Sequence, residues 1–188
     1  GREVALIEKS DQMYGGTCIN VACIPSKFLE NEARRSSMIG GSFEDKARRY
    51  KQVIQEKREL VGKLRDKNYK KLAEAAGVDV ITGTAFFTDP NHIMVANQDG
   101  MTEELEGDNF YINTGARPFI PPIKGIHESN HVYISETLME EERLPKNLVI
   151  IGGGYIGVEF ASYYSNFGSQ VTVIQNGKDF IPREDQEV

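Results

Sequence analysis

Three glycines in a row, Gly152-Gly153-Gly154, followed by Tyr155-Ile156-Gly157, constrain this chain more than any other stretch. The spacing is G-x-G-x-x-G at Gly152, Gly154 and Gly157. It follows an apolar run, Leu148–Ile151, and opens a helical pattern, Val158–Phe167; Gly168 closes the helix and Val171–Ile174 reads as a second strand. Strand, tight turn, helix and returning strand make a βαβ unit, and these glycines suit one that holds a dinucleotide. The first permits the turn, the second lets backbone approach a pyrophosphate, and the third lets helix and strand pack closely. The anion then sits at the helix N-terminus, where N–H groups and the helix dipole favour it. A glycine turn without a ligand is the alternative, and the flanking elements argue against it.

The residue that ends the second strand of such a unit faces the adenosine ribose. An acid there favours a free 2′-hydroxyl, and a nearby cation accommodates a 2′-phosphate. Here the position falls on Gln175, with Lys178 close by. Glutamine can accept from a hydroxyl and does not repel a phosphate, so the choice between NADH and NADPH stays open.

Upstream, Val4–Ile7 reads as a short buried strand closed by Glu8, followed by a loop with Gly15 and Gly16. Pro25 marks the opening of a helix through Ser26–Arg35, which Gly40 and Gly41 break. A long amphipathic helix is expected over Phe43–Ala76, with Gly77 as its C-cap. Short β-type runs follow at Val78–Ile81, Ala85–Phe87, His92–Ala96, Met101–Leu105 and Phe110–Asn113. The coil from Pro118 to Pro122 reads as a crossing between domains, and Ser135–Glu142 as a short helix.

The cysteines, Cys18 and Cys23, are spaced C-x4-C. That spacing is wrong for a zinc C-x2-C pair, and His92, His127 and His131 offer no complementary ligand spacing, so no metal site is expected. A redox dithiol and a pair of buried structural thiols both remain open. Near a helix start a thiolate is stabilised and its pKa falls, and Lys27 adds a positive neighbour.

Composition narrows the class. The 188 residues carry a net charge of −6, which disfavours a general polyanion binder, so no nucleic-acid partner is expected. No apolar run is long enough for a membrane helix, and GREVALIEKS lacks the order of a secretory signal; a cytoplasmic location is expected. Residues 44–74 hold 11 Lys or Arg against 6 Asp or Glu. A solvated helix face explains this block better than a polyanion partner or a helical interaction module.

Taken together, the segments resemble the class I pyridine nucleotide–disulfide oxidoreductases, a family that includes dihydrolipoamide dehydrogenase, glutathione reductase and mercuric reductase. GGTCINVACIPSK (Gly15 to Lys27) resembles its redox-disulfide motif, with Ala22 where Gly is usual. INTGARP (Ile112 to Pro118) resembles a flavin-contacting motif, and VIIGGGYIGVEFA (Val149 to Ala161) the nicotinamide-nucleotide motif. The resemblance implies an α/β fold of two Rossmann-like dinucleotide-binding domains, for FAD and NAD(P), both incomplete here, with a small antiparallel β-meander. Residues 1–120 would belong to the FAD domain and 121–188 to the start of the NAD(P) domain.

The resemblance also implies roles. Cys18 matches the thiol that exchanges with substrate, Cys23 the thiol beside the flavin, Lys27 the lysine near the flavin, and Glu159 the acid paired with that lysine. Glu8, Gly15, Gly16, Thr17, Ala85, Thr114 and Gly115 match FAD contacts. Gly152, Gly154, Tyr155, Gly157 and Gln175 match the nicotinamide-nucleotide site, Tyr155 as the aromatic covering the pocket. The implied function is electron transfer from NAD(P)H through FAD to a Cys18–Cys23 disulfide, and on to a small-molecule disulfide, metal ion or oxidant. The alternative is a catalytically silent nucleotide-binding fragment. A first glycine loop upstream of Glu8, a downstream dimerisation domain with an acid/base histidine, and a homodimer are expected of the full-length protein.

Overall fold

A computed structural model describes residues 3–97, 99–181 and 184–185. The chain divides into two compact units, one of residues 1–23 with 60–117, the other of residues 24–59 with 118–188. Helices α2 (Cys23–Ile39) and α3 (Phe43–Ala73) each contribute residues to both.

In the first unit, β1 (Val4–Glu8) pairs in parallel with β2 (Val78–Thr82), from Val4 opposite Val78 to Glu8 opposite Thr82. A one-turn helix, α1 (Gly16–Asn20), follows the loop after β1. Strands β3 (Thr84–Phe87), β4 (His92–Ala96) and β5 (Thr102–Glu106) form an antiparallel sheet with β4 central. The β3–β4 turn is set by Asp89, whose Oδ1 accepts the backbone N–H groups of Asn91 and His92 at 2.8 and 2.9 Å. Such a side-chain-closed turn explains why Asp and Pro punctuate here.

In the second unit, β6 (Asn147–Ile151) runs into α5 (Tyr155–Phe167) and returns through β7 (Gln170–Ile174), parallel to β6 and in register from Asn147 with Gln170 to Ile151 with Ile174. Phe160, Tyr163, Tyr164 and Phe167 of α5 are buried at helical spacing. They share a core with Leu29 and Ala33 of α2 and with Tyr50, Val53 and Ile54 of α3. Tyr50 and Tyr164 share a hydrogen bond at 3.0 Å, and Tyr164 Oη donates to Leu138 O at 3.1 Å. Burial raises both phenol pKa values far above the usual range, so both remain neutral donors.

Lys57 of α3 is only 1% exposed. Its ammonium donates to Met139 O at 2.8 Å and pairs with Glu140. Burial pulls its pKa down against the opposing pull of Glu140. At Glu140 burial works to raise the pKa, but hydrogen bonds from Arg58 and Lys57 outweigh it and hold the carboxyl below its ordinary value. Other cations of the basic block also have partners within the fold. Arg58 reaches Glu140 and Glu142, Arg48 pairs with Asp45, and Arg49 donates to Ser36 Oγ and Gly40 O.

Several expected elements differ. Helix α2 begins at Cys23, two residues before Pro25, which fits the first turn because its missing N–H would lack an intrahelical acceptor. It also continues four residues beyond Arg35. Helix α3 stops at Ala73 and tightens through Ala75 N–H to Leu72 O, 3.1 Å, so Gly77 lies beyond its cap. The helix expected over Ser135–Glu142 is only α4 (Ser135–Leu138). After Leu138 the turn tightens, with Glu140 N–H donating to Thr137 O at 3.1 Å and Glu141 N–H to Leu138 O at 3.3 Å, while Met139 O and Glu140 O accept from the side chains of Lys57 and Arg58. No strand forms at residues 110–113 among the described residues; Tyr111 and Ile112 are 90% and 75% exposed in coil. Without a partner ladder, apolar content alone does not hold a strand. No helix among the described residues is long and apolar enough to cross a membrane.

Candidate functional site

The first unit brings the two cysteines together. Cys18 sits in α1, Cys23 opens α2, and both are exposed. Their side chains share a hydrogen bond, which, with a smaller contribution from burial, pushes the Cys18 pKa above its ordinary value. The lowered thiol pKa expected near a helix start therefore does not hold for Cys18. It lies inside a single turn, and its neighbour stabilises the protonated form. The exposure of both residues argues against buried structural thiols.

The loop that carries Cys18 is held by Asn20, a residue inside the Gly15–Lys27 stretch but not among the expected site residues. Asn20 is buried; its Nδ2 donates to Tyr14 O at 3.0 Å and Gly16 O at 2.8 Å, and its Oδ1 accepts from Arg65 Nε at 3.0 Å. Tyr14 Oη is 2.7 Å from Thr82 Oγ1, which ties the loop to β2. Its place between the two cysteines was the available signal. Gly15 and Gly16 have φ values of +92° and +72°, a region that favours glycine, and the space beside Gly16 is open. Glu8, ending β1, accepts Ser10 N–H at 3.0 Å. Thr17 is exposed beside Cys18, Ala85 is exposed on β3, and Thr114 and Gly115 lie in exposed coil.

The second unit builds the glycine loop from backbone. Gly152 N–H donates to Ile174 O at 2.8 Å and has φ +110°. A Cβ on Gly157 would lie 2.1 Å from Gly152 O, so only glycine allows α5 to pass the loop. Beside Gly154 the space is open. The N–H groups of the first helical turn lack intrahelical acceptors by construction. The loop therefore fits a dinucleotide pyrophosphate. Gln175 Oε1 accepts Gly153 N–H at 3.0 Å, and its Nε2 donates to Asp179 O at 3.2 Å. Tyr155, exposed at the start of α5, donates through its hydroxyl to Glu184.

Lys27 and Glu159, separated by 132 positions, form an ion pair with Nζ to Oε1 at 2.6 Å. The hydrogen bond to Glu159 outweighs burial and raises the Lys27 pKa, so the side chain is a fixed cation. It is 65% exposed, and Glu30 lies 3.7 Å from the same ammonium. Among the described residues no cluster of His, Cys, Asp and Glu is arranged to hold a metal.

A family model described as pyridine nucleotide-disulphide oxidoreductase matches residues 1–188. The chain is 44% identical over 188 residues to the probable pyridine nucleotide-disulfide oxidoreductase RclA of Escherichia coli (strain K12), covering all of this chain and 40% of that protein. It is 36% identical over 195 residues to a mercuric reductase of Streptomyces lividans, again covering all of this chain and 40% of the relative. The structure of the HOCl-induced flavoprotein disulfide reductase RclA from Escherichia coli matches with a TM-score of 0.85 at 44% identity, over 98% of this chain and 39% of that one. That agreement extends to the mixed arrangement of helices and sheets. The chain spans about two fifths of the length of these relatives. With its glycine loop, its paired thiols and this match along its whole length, the chain belongs to the pyridine nucleotide-disulphide oxidoreductase family.

Proposed function

We propose that the full-length protein is a flavin-dependent disulfide oxidoreductase in which Cys18 and Cys23 form the redox couple. The observation that carries this reading is the hydrogen-bonded pair of exposed cysteine side chains, one in α1 and the other opening α2. FAD and NAD(P)H are the cofactors of the family. When bound, FAD would supply two-electron chemistry between a nicotinamide and the cysteine pair.

Residues 1–120 serve the FAD side in this reading and residues 121–188 the nicotinamide-nucleotide side. Glu8, Gly15, Gly16, Thr17, Ala85, Thr114 and Gly115 contribute to the first, with open space beside Gly16 for a phosphate. Gly152, Gly154, Tyr155 and Gly157 contribute to the second, with Gln175 at its adenosine end. Lys27, held as a cation by Glu159, supplies positive charge near the flavin.

With a disulfide substrate, the Cys18 thiolate attacks one substrate sulfur. A mixed disulfide forms and one substrate thiolate leaves, taking up a proton. The Cys23 thiolate then attacks the Cys18 sulfur, closes the Cys18–Cys23 bond and expels the second thiolate. Two electrons have moved from the cysteines to the substrate, and NAD(P)H restores the dithiol. The raised Cys18 pKa makes its thiolate fraction grow with pH, so the exchange step should quicken toward alkaline pH. A metal ion or an oxidant would take the same electron pair.

Anaerobic titration of the purified full-length protein with NADH and NADPH, with visible spectra and thiol counting, tests this reading. Flavin absorbance, two new thiols per chain on reduction, and loss of disulfide reduction in both Cys18→Ser and Cys23→Ser are expected. A colourless protein, or thiol counts unmoved by reduced nucleotide, would support the silent nucleotide-binding alternative instead.

A further inference from the structure

The glycine loop is pinned to the last residue of β7 and to the segment after it at three points. Gly152 N–H donates to Ile174 O at 2.8 Å, Ile181 N–H donates to Gly153 O at 2.8 Å, and Gly153 N–H donates to Gln175 Oε1 at 3.0 Å. Only the third contact depends on a side chain. The same amide donates from Nε2 to Asp179 O at 3.2 Å. Its orientation is therefore determined, because the oxygen must face the N–H and the nitrogen must face the carbonyl. Phe180 closes the arrangement from the side: a Cβ on Gly153 would lie 2.5 Å from its Cδ1.

Gln175 points both ends at the protein. Reorienting it would break two hydrogen bonds and leave Gly153 N–H without its acceptor, beside the turn that must stay in shape for a pyrophosphate. The side chain is also uncharged, so it neither repels a 2′-phosphate nor pairs with one.

Resting on the reading of this loop as a dinucleotide site, we infer that Gln175 is a positioning residue. It fixes the glycine loop in its pyrophosphate-binding shape and does not select between NADH and NADPH. The loss of its two hydrogen bonds loosens the loop for both nucleotides alike.

The test measures dissociation constants of NADH and NADPH for the full-length protein and for Gln175→Leu and Gln175→Glu, with amide exchange at Gly153 followed in parallel. In Gln175→Leu both nucleotides should weaken together by about tenfold, with their ratio within about twofold of the parent's. Gly153 exchange should quicken in Gln175→Leu. In Gln175→Glu, which keeps an acceptor for that N–H, exchange should stay slower than in the leucine variant. The visible flavin spectrum and the melting temperature should not change, as they would if the residue only supported the fold. A change in the NADPH-to-NADH ratio beyond about fivefold in Gln175→Leu would overturn the inference in favour of direct ribose contact. Unchanged affinity with unchanged Gly153 exchange would also overturn it. Failure of the parent protein to bind either nucleotide would instead overturn the dinucleotide reading on which the inference rests.

Discussion

The loop after β1 and the loop after β6 both follow a parallel strand, both carry glycines and both lead into a helix, yet glycine is needed in them for different reasons. At Gly16 the backbone demands it: φ is +72° while the space for a Cβ is open. At Gly157 space demands it: a Cβ would meet a backbone oxygen at 2.1 Å. The first loop is held by a buried side chain, Asn20, which reaches Tyr14 O and Gly16 O. The second is held by backbone bonds to Ile174 and Ile181, by one side chain, Gln175, and by close packing of helix on turn. A side-chain hydrogen bond can be loosened in steps, whereas the close contact of Gly157 with backbone fails at once.

Gly157→Ala is the severest test of this difference. Its Cβ must displace either the turn or α5, at a cost of about 3 kcal/mol, which corresponds to roughly a hundredfold loss of nucleotide affinity. Titration of the full-length variant with NADH should show that loss while its flavin spectrum persists; parent-like affinity would refute the close approach. Asn20→Ala should cost about 2 kcal/mol, because two carbonyls and Arg65 lose their buried partner. A lowered urea midpoint, with faster amide exchange over residues 14–18, would register it. Gly16→Ala should be milder, about 1 kcal/mol for left-handed backbone with no clash. A drop in urea midpoint as large as that of Asn20→Ala would erase the distinction between conformation and space.

Where contacts are local, the fold was legible. Strand, glycine turn, helix and strand from residue 147 to 174 were readable because the apolar period changes sharply between glycines. The partner of β1 was not, since Val4 pairs with Val78 and all of α1, α2 and α3 lie between them in the chain. The run at 110–113 has a strand's residues, but nothing in its pattern says whether a ladder adjoins it. The end of α4 was hidden because nothing in the run from Ser135 to Glu142 marks where i→i−3 bonds replace helical ones and where Lys57 and Arg58 reach the segment that follows. The paired thiols were visible as a spacing, though the upward pKa of Cys18 required their side chains to meet. Asn20 was marked only by its place between the two cysteines; that it is buried and holds the loop depends on Arg65, Tyr14 O and Gly16 O, which its sequence neighbours do not reveal.

The burial of Lys57 has a chemical consequence. An amine-directed reagent needs a reachable nitrogen, and most lysines on this chain's helices are exposed. Lys57 presents its nitrogen to a carbonyl and a carboxylate inside the second unit. Its labelling must wait for the contact between α3 and the segment after α4 to part. The labelling rate of this single amine, set against that of exposed Lys63 or Lys67, is therefore a clock for local opening of the second unit, readable by mass without changing the sequence.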